Sequence, residues 1–217
     1  MTLVGIVAAL QKLYGPPRAL ITDPFEMIVL ENAAYLVDDA RRHETFEHLR
    51  AAIGVTPEAI ASRSRDEIAE AIAGGGMLPE HRAEKVLACA RLAMKAGVTE
   101  KTLRKFPSIG EPYADRILLF NGKKVTLAPD SNALRVLLRL GYGEESKNYA
   151  KTYRSAVNAT AGELRDAKFA QRAHILLRRH GQELCKRSTP RCELCPLRAQ
   201  CGWYALRTGG GGAVTPE

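Results

Sequence analysis

Four of the chain's five cysteines fall between residues 185 and 201, in the stretch C-K-R-S-T-P-R-C-E-L-C-P-L-R-A-Q-C. The order is Cys185, six residues, Cys192, two residues, Cys195, five residues, Cys201. Two cysteines three apart on a tight turn reach one metal centre together, and the flanking pair closes a shell of four thiolates. Any fold of this chain must therefore bring four side chains of its last third to one point. Four thiolates suit zinc or an iron–sulfur cluster, and spacing alone leaves both open. The fifth, Cys89, stands in V-L-A-C-A-R-L-A on a helical face and reads as a small buried apolar residue.

The rest of the chain supplies a core: 217 residues, 46% of them hydrophobic, suffice for one domain or two small ones. No run of about eighteen apolar residues occurs, and M-T-L-V-G-I-V-A-A-L-Q-K-L lacks the basic start and cleavage site of a signal peptide. The expected compartment is the cytoplasm, with no membrane partner, where thiols stay reduced and bind metal rather than pair. A net charge of +8 favours a polyanionic partner.

Strand signals are scarce, and amphipathic stretches follow one another between Gly, Pro and Asp, which predicts an all-α fold. The expected helices are 2–14, 24–39, 43–53, 56–60, 65–73, 80–96, 99–105, 111–121, 130–140, 146–157, 165–181 and 192–198. The Gly-rich end predicts a disordered tail over 206–217.

Three further stretches carry chemistry. L-R-K-F-P-S-I-G-E-P-Y-A-D-R-I-L-L-F, residues 103–120, reads as helix, tight turn, helix, and the second helix starts with unpaired amides that suit a phosphate. In V-T-L-A-P-D-S-N-A-L-R-V, Asp130 precedes an amphipathic helix and reads locally as its N-cap. In D-P-F-E-M-I-V-L-E-N-A-A-Y, Glu31 has Met27 and Ile28 one turn before it and Ala34 and Tyr35 one turn after. That is a carboxylate on an apolar face, with a raised pKa suited to a general acid, unless the helix turns it to the solvent edge.

The cysteine spacing, the hairpin and the aspartate resemble the motifs of the endonuclease III family of DNA glycosylases, over about residues 20–205. The resemblance implies a structural 4Fe-4S cluster on Cys185, Cys192, Cys195 and Cys201, with Lys186, Arg187 and Arg191 presented to phosphates. It implies that residues 103–120 form the family's helix-hairpin-helix, with Phe106-Pro107-Ser108-Ile109-Gly110 standing for L-P-G-V-G and Ser108, Ile109 and Gly110 meeting the DNA backbone. Asp130 then matches the catalytic aspartate, whose charge stabilises the oxocarbenium character of the sugar as the base departs. Mismatch glycosylases of the same superfamily carry a glutamate where Glu31 stands.

Family members that also cut the strand have a lysine where this chain has Pro112, which implies a monofunctional glycosylase that uses water. The gap left by an extruded nucleotide would be filled by Leu36 or by the loop Gly76-Met77-Leu78, which resembles the family's wedge loop, although Met77 and Leu78 also suit ordinary core packing. Tyr35, Tyr113 and Asn132 are the candidates for the base pocket, Tyr113 being equally a hairpin core residue.

The implied architecture is two helical lobes with a DNA-binding cleft between them. One is a six-helix lobe over 20–125, and the other is a cluster lobe of 1–19 plus 126–205. Glu31 and Asp130 would face each other across that cleft. The implied protein is a monomeric, nucleoid-associated base-excision repair enzyme acting on double-stranded DNA. Uracil or thymine opposite guanine is the first substrate reading, and A-D-x-I-L-L-F after the hairpin also resembles alkylpurine glycosylases. A lyase using Lys123 or Lys124, or a non-catalytic DNA-binding protein, are the remaining alternatives.

Overall fold

The computed structural model describes residues 1–17 and 21–208, all-helical and with no strand among the described residues. The chain falls into two compact units, Leu20–Asn121 and Met1–Ala19 with Gly122–Glu217. No helix among the described residues is long and apolar enough to cross a membrane.

Unit Leu20–Asn121 contains α2 (Pro24–Ala33), α3 (Asp39–Ala52), α4 (Pro57–Ala61), α5 (Arg65–Ala71), α6 (Pro79–Ala96), α7 (Glu100–Leu103) and α8 (Glu111–Phe120). The long α6 is the spine, packed against α2, α4 and α5. Its buried stripe of Val86, Cys89, Ala90 and Ala93 follows the helical period, and Cys89 is a buried apolar residue, as its sequence context indicates. Helix starts are chemically marked: Asp23, Asp38 and Thr56 each accept an amide hydrogen bond, and Ser64 and Glu67 form a capping box.

The other unit contains α1 (Leu3–Tyr14), α9 (Ser131–Arg139), α10 (Tyr149–Ala161), α11 (Ala167–Glu183) and α12 (Gly202–Arg207). Here α11 packs on both α9 and α1 around Leu3, Ile6, Leu10, Leu137, Tyr153, Leu176 and Leu177, all buried. Gly181 lets α11 close on the start of α9, because a Cβ there would lie 2.5 Å from the Asn132 carbonyl oxygen.

Some expected boundaries are corrected. The helix expected over 24–39 stops at Ala33, and α3 begins at Asp39, because Asp38 caps it and the intervening Tyr35 amide bonds to the Gly75 carbonyl instead, at 2.8 Å. The helix expected over 192–198 is two separate 3₁₀ turns, Cys192–Leu194 and Arg198–Gln200. Residues 206 and 207, assigned to the tail, belong to α12, and the tail from 209 lies outside the described residues.

Between α7 and α8, Ser108 adopts a left-handed φ of 62°, and its hydroxyl accepts a hydrogen bond from Lys85 Nζ at 3.4 Å. That backbone costs an L-residue about 1–2 kcal/mol, and glycine returns part of the gain as unfolded-state entropy. Ser108→Gly is expected to stabilise the protein by about 0.5–1 kcal/mol, read as a higher denaturant midpoint. A lower midpoint would mean that the Lys85 contact outweighs the strain.

Candidate functional site

Asp130 is the N-cap of α9, as its local sequence indicates. Its Oδ1 accepts from the amides of Asn132 at 3.0 Å and Ala133 at 2.8 Å. Its Oδ2 accepts from Arg178 Nε at 2.8 Å, so both oxygens are oriented, and the side chain stays 25% exposed. The approach to it is buried through Thr126, Leu127, Ala128 and Pro129, with His174 Nδ1 donating to the Ala128 carbonyl at 2.7 Å. Burial and then the charge of Asp130 push the Tyr149 phenol above its ordinary pKa, which puts a half-exposed tyrosine within electrostatic reach of the carboxylate.

One helical turn further, Arg135 ties the start of α9 to the cysteine loop. Its Nη2 donates to Asn132 Oδ1 at 2.9 Å and to the Gly181 carbonyl at 2.7 Å, and its Nε donates to the Cys185 carbonyl at 2.9 Å. Asn132, a candidate for the base pocket, therefore has its side-chain oxygen already engaged.

Cys185, Cys192, Cys195 and Cys201 line one open cavity together with Arg139 and Trp203. A single zinc ion would draw four sulfurs to within about 3.8 Å of one another, given a Zn–S bond of about 2.3 Å. No three His, Cys, Asp or Glu side chains gather that way among the described residues. All four cysteines nevertheless line that one cavity, a set of thiolates whose chemistry suits zinc or an iron–sulfur cluster. Burial raises the Cys195 thiol to about 11, and burial followed by neighbouring Cys185 and Cys201 raises Cys192.

Arg139 reaches the same cavity, donating to Cys185 Sγ at 3.2 Å and to the Lys186 carbonyl at 2.9 Å, and it stacks 4.0 Å over the Trp203 ring. His180, buried and with its pKa lowered by that burial to about 4, lies 3.4 Å from Cys195 Sγ and 3.1 Å from the Tyr14 hydroxyl. Lys186, Arg187 and Arg191 are exposed on the loop.

In unit Leu20–Asn121, Glu31 departs from expectation. It is ion-paired with Arg42 at 3.0 Å, with 30% of its side chain exposed, because α3 begins early enough to carry Arg42 over α2. Of the two placements the sequence allowed, the solvent edge of the helix describes Glu31 better than an apolar interior.

At the hairpin, Pro112 occupies the first turn of α8, where it forfeits no helical bond. Ile109 is a core residue, 4% exposed, and its amide is taken by the Phe106 carbonyl, so of the expected trio only Ser108 and Gly110 lie at the surface. The Tyr113 hydroxyl donates to the Met27 carbonyl at 2.9 Å and Arg116 covers its ring, a hairpin core role more than an open stacking platform.

Tyr35, Leu36, Met77 and Leu78 all stand exposed, which removes ordinary core packing as the account of Met77 and Leu78. Sequence reasoning quoted Arg135 within the aspartate motif without assigning it a role, and missed Arg82, Arg139, Arg178, His180 and Tyr149. Arg82 had a visible signal: it lies one turn before Val86, on the buried stripe of α6.

No family model matches the chain. Endonuclease III of Rickettsia conorii is 26% identical over 154 residues, covering 69% of this chain and 70% of its own. A non-covalent endonuclease III–DNA complex aligns with a TM-score of 0.77 at 18% identity, over 96% of this chain and 99% of that one. A thermostable thymine-DNA glycosylase aligns equally well, with a TM-score of 0.77 at 18% identity over 94% and 97%. The two units together thus have the all-helical endonuclease III fold. In sequence as in fold, the chain is similar to endonuclease III.

Arg135→Ala would leave three acceptors without their donor and is expected to destabilise the protein by about 2–3 kcal/mol in equilibrium denaturation. A loss below about 0.5 kcal/mol would show that solvent replaces the guanidinium.

Proposed function

We propose that the protein is a monofunctional DNA glycosylase of base-excision repair, which hydrolyses the bond between an extruded base and its sugar. The observation that carries this reading is Asp130, a carboxylate held by two amides at a helix start and by Arg178 while remaining partly open to solvent. In this endonuclease III-like chain it stands where the family motif has its catalytic aspartate.

As the base leaves, positive charge grows on the sugar ring, and a fixed carboxylate favours that state over the neutral substrate. Because its orientation is set before DNA binds, little reorganisation opposes the step. Water adds to the sugar carbon as the bond to the base breaks, and the proton released leaves with the base. Glu31, ion-paired with Arg42, is the second catalytic candidate, and its fixed carboxylate suits orienting a group or a water. Pro112 offers no amine, so no covalent sugar adduct forms at that position.

Duplex DNA is the partner, approached by the basic cysteine loop and by the uncapped start of α8 at Gly110. Cys185, Cys192, Cys195 and Cys201 would hold a 4Fe-4S cluster, which supplies a structural crosslink to that loop and no step of the reaction. Uracil or thymine opposite guanine is the first substrate to test. The Ala114-Asp115-Arg116-Ile117 run at the hairpin favours alkylated purines as the second, and Asp115 in it is buried.

Incubation with duplexes carrying uracil or thymine opposite guanine, methylated purines, oxidised pyrimidines or 8-oxoguanine·adenine, followed by alkali, should reveal strand breaks on at least one. No alkali-labile product on any of them overturns the glycosylase reading. Breaks without alkali, accompanied by a borohydride-trapped adduct, would overturn the monofunctional one.

Asp130→Asn should lower base release by about 10³-fold or more while duplex binding persists, since asparagine caps a helix as well as aspartate does. Anaerobically purified protein should be brown and contain iron and acid-labile sulfide in equal amounts, about four of each per chain. Colourless protein with stoichiometric zinc would overturn the cluster assignment.

A further inference from the structure

In unit Leu20–Asn121, two exposed turns are strapped together around one buried cation. Arg82 is 4% exposed. Its Nε donates to the Met77 carbonyl at 2.8 Å, its Nη2 to Gly76 at 2.9 Å, and its Nη1 to Ile72 at 2.9 Å and to Ala33. The backbone is shaped to let these carbonyls converge. A Cβ at Gly75 would lie 2.4 Å from the Ala33 oxygen and 2.7 Å from Arg82 Nη1, and one at Gly76 would lie 2.3 Å from the Tyr35 oxygen. The Tyr35 amide completes the strap by donating to the Gly75 carbonyl at 2.8 Å.

What the strap presents is apolar. Leu36 and Leu78 sit at φ of 57° and 55°, a left-handed backbone that is costly for leucine, and are 72% and 59% exposed. Tyr35 and Met77 beside them are 54% and 60% exposed. Burial would favour folding these side chains inward, so their strained outward placement points to a surface they are made to meet. Three residues further along the same helix, Lys85 reaches Ser108 of the hairpin turn, so one helix serves both the strap and the hairpin.

We propose that Arg82 is a positioning residue that fixes the Leu36 and Leu78 turns as one rigid apolar wedge before DNA arrives. This rests on the glycosylase reading above, in which a nucleotide leaves the stack and side chains take its place. Separating base steps costs free energy, and a turn free to fold back would recover none of it. A monodentate cation could not serve four carbonyls from three segments, whereas a planar guanidinium with its fork of donors does. Arg82 itself need touch no nucleotide.

The test uses a duplex with a tetrahydrofuran abasic analogue and 2-aminopurine beside it, whose fluorescence rises when the wedge unstacks it. The wild-type protein should give that rise. Arg82→Met and Gly76→Ala should cut it about tenfold while affinity for undamaged duplex changes less than about twofold, and Arg82→Lys should restore part of it. A full signal from Arg82→Met, or from Gly76→Ala should Arg82→Met fail to fold, overturns the assignment of Arg82. No signal from wild type overturns the wedge itself. Base release in the alkali assay then judges the glycosylase reading separately.

Discussion

Arg135 donates to a side chain, to a carbonyl of α11 and to the carbonyl of the first cysteine, three points that share no secondary structure. Each of these acceptors would be left over by regular hydrogen bonding, because helix ends and loops cannot satisfy their own carbonyls. A guanidinium answers this need with several donors in one plane, at the cost of desolvating a charge, and that burial lowers the Arg135 pKa. The start of α9, the end of α11 and the cysteine loop are thereby tied through one group, with Arg139 adding a second tie from α9 to the loop. Arg82 solves the same problem in the other unit, where helix ends and a glycine turn leave four carbonyls facing inward.

Asp130 shows why a helix start is a good place for a working carboxylate. Capping fixes one oxygen with amides that belong to the backbone and cannot rotate away. The second oxygen meets Arg178, which holds the plane of the group. A side chain placed by folding in this way arrives already oriented, and stability and chemistry make the same demand on it. At Pro112 the demands diverge: the residue suits the first turn of α8 and removes the possibility of an amine there.

The helices, the hairpin, the cap at Asp130 and the cysteine quartet were legible because each rests on a local rule of periodicity, capping or spacing. Boundaries failed where a distant partner intervened. The turn at Tyr35 is fixed by Gly75, forty residues on, and no local pattern records that bond. Glu31 was read from its own helix alone, whereas its partner Arg42 comes from the next one. The arginines were hardest to read, since sequence gives their charge but not whether it is spent on solvent or on carbonyls. Only Arg82, out of place on an apolar stripe, carried a local sign of burial.

The unit that holds the cysteines is assembled from both sides of the other one. Helix α1 packs on α11, and Tyr14 at its end meets His180, which in turn meets Cys195. During synthesis, therefore, the first helix made must wait, its apolar face without a partner, until residues beyond 167 have emerged, while Leu20–Asn121 can close on itself in the meantime. Helix α1 is thus made first and completed late, since the face it buries is shared with α11.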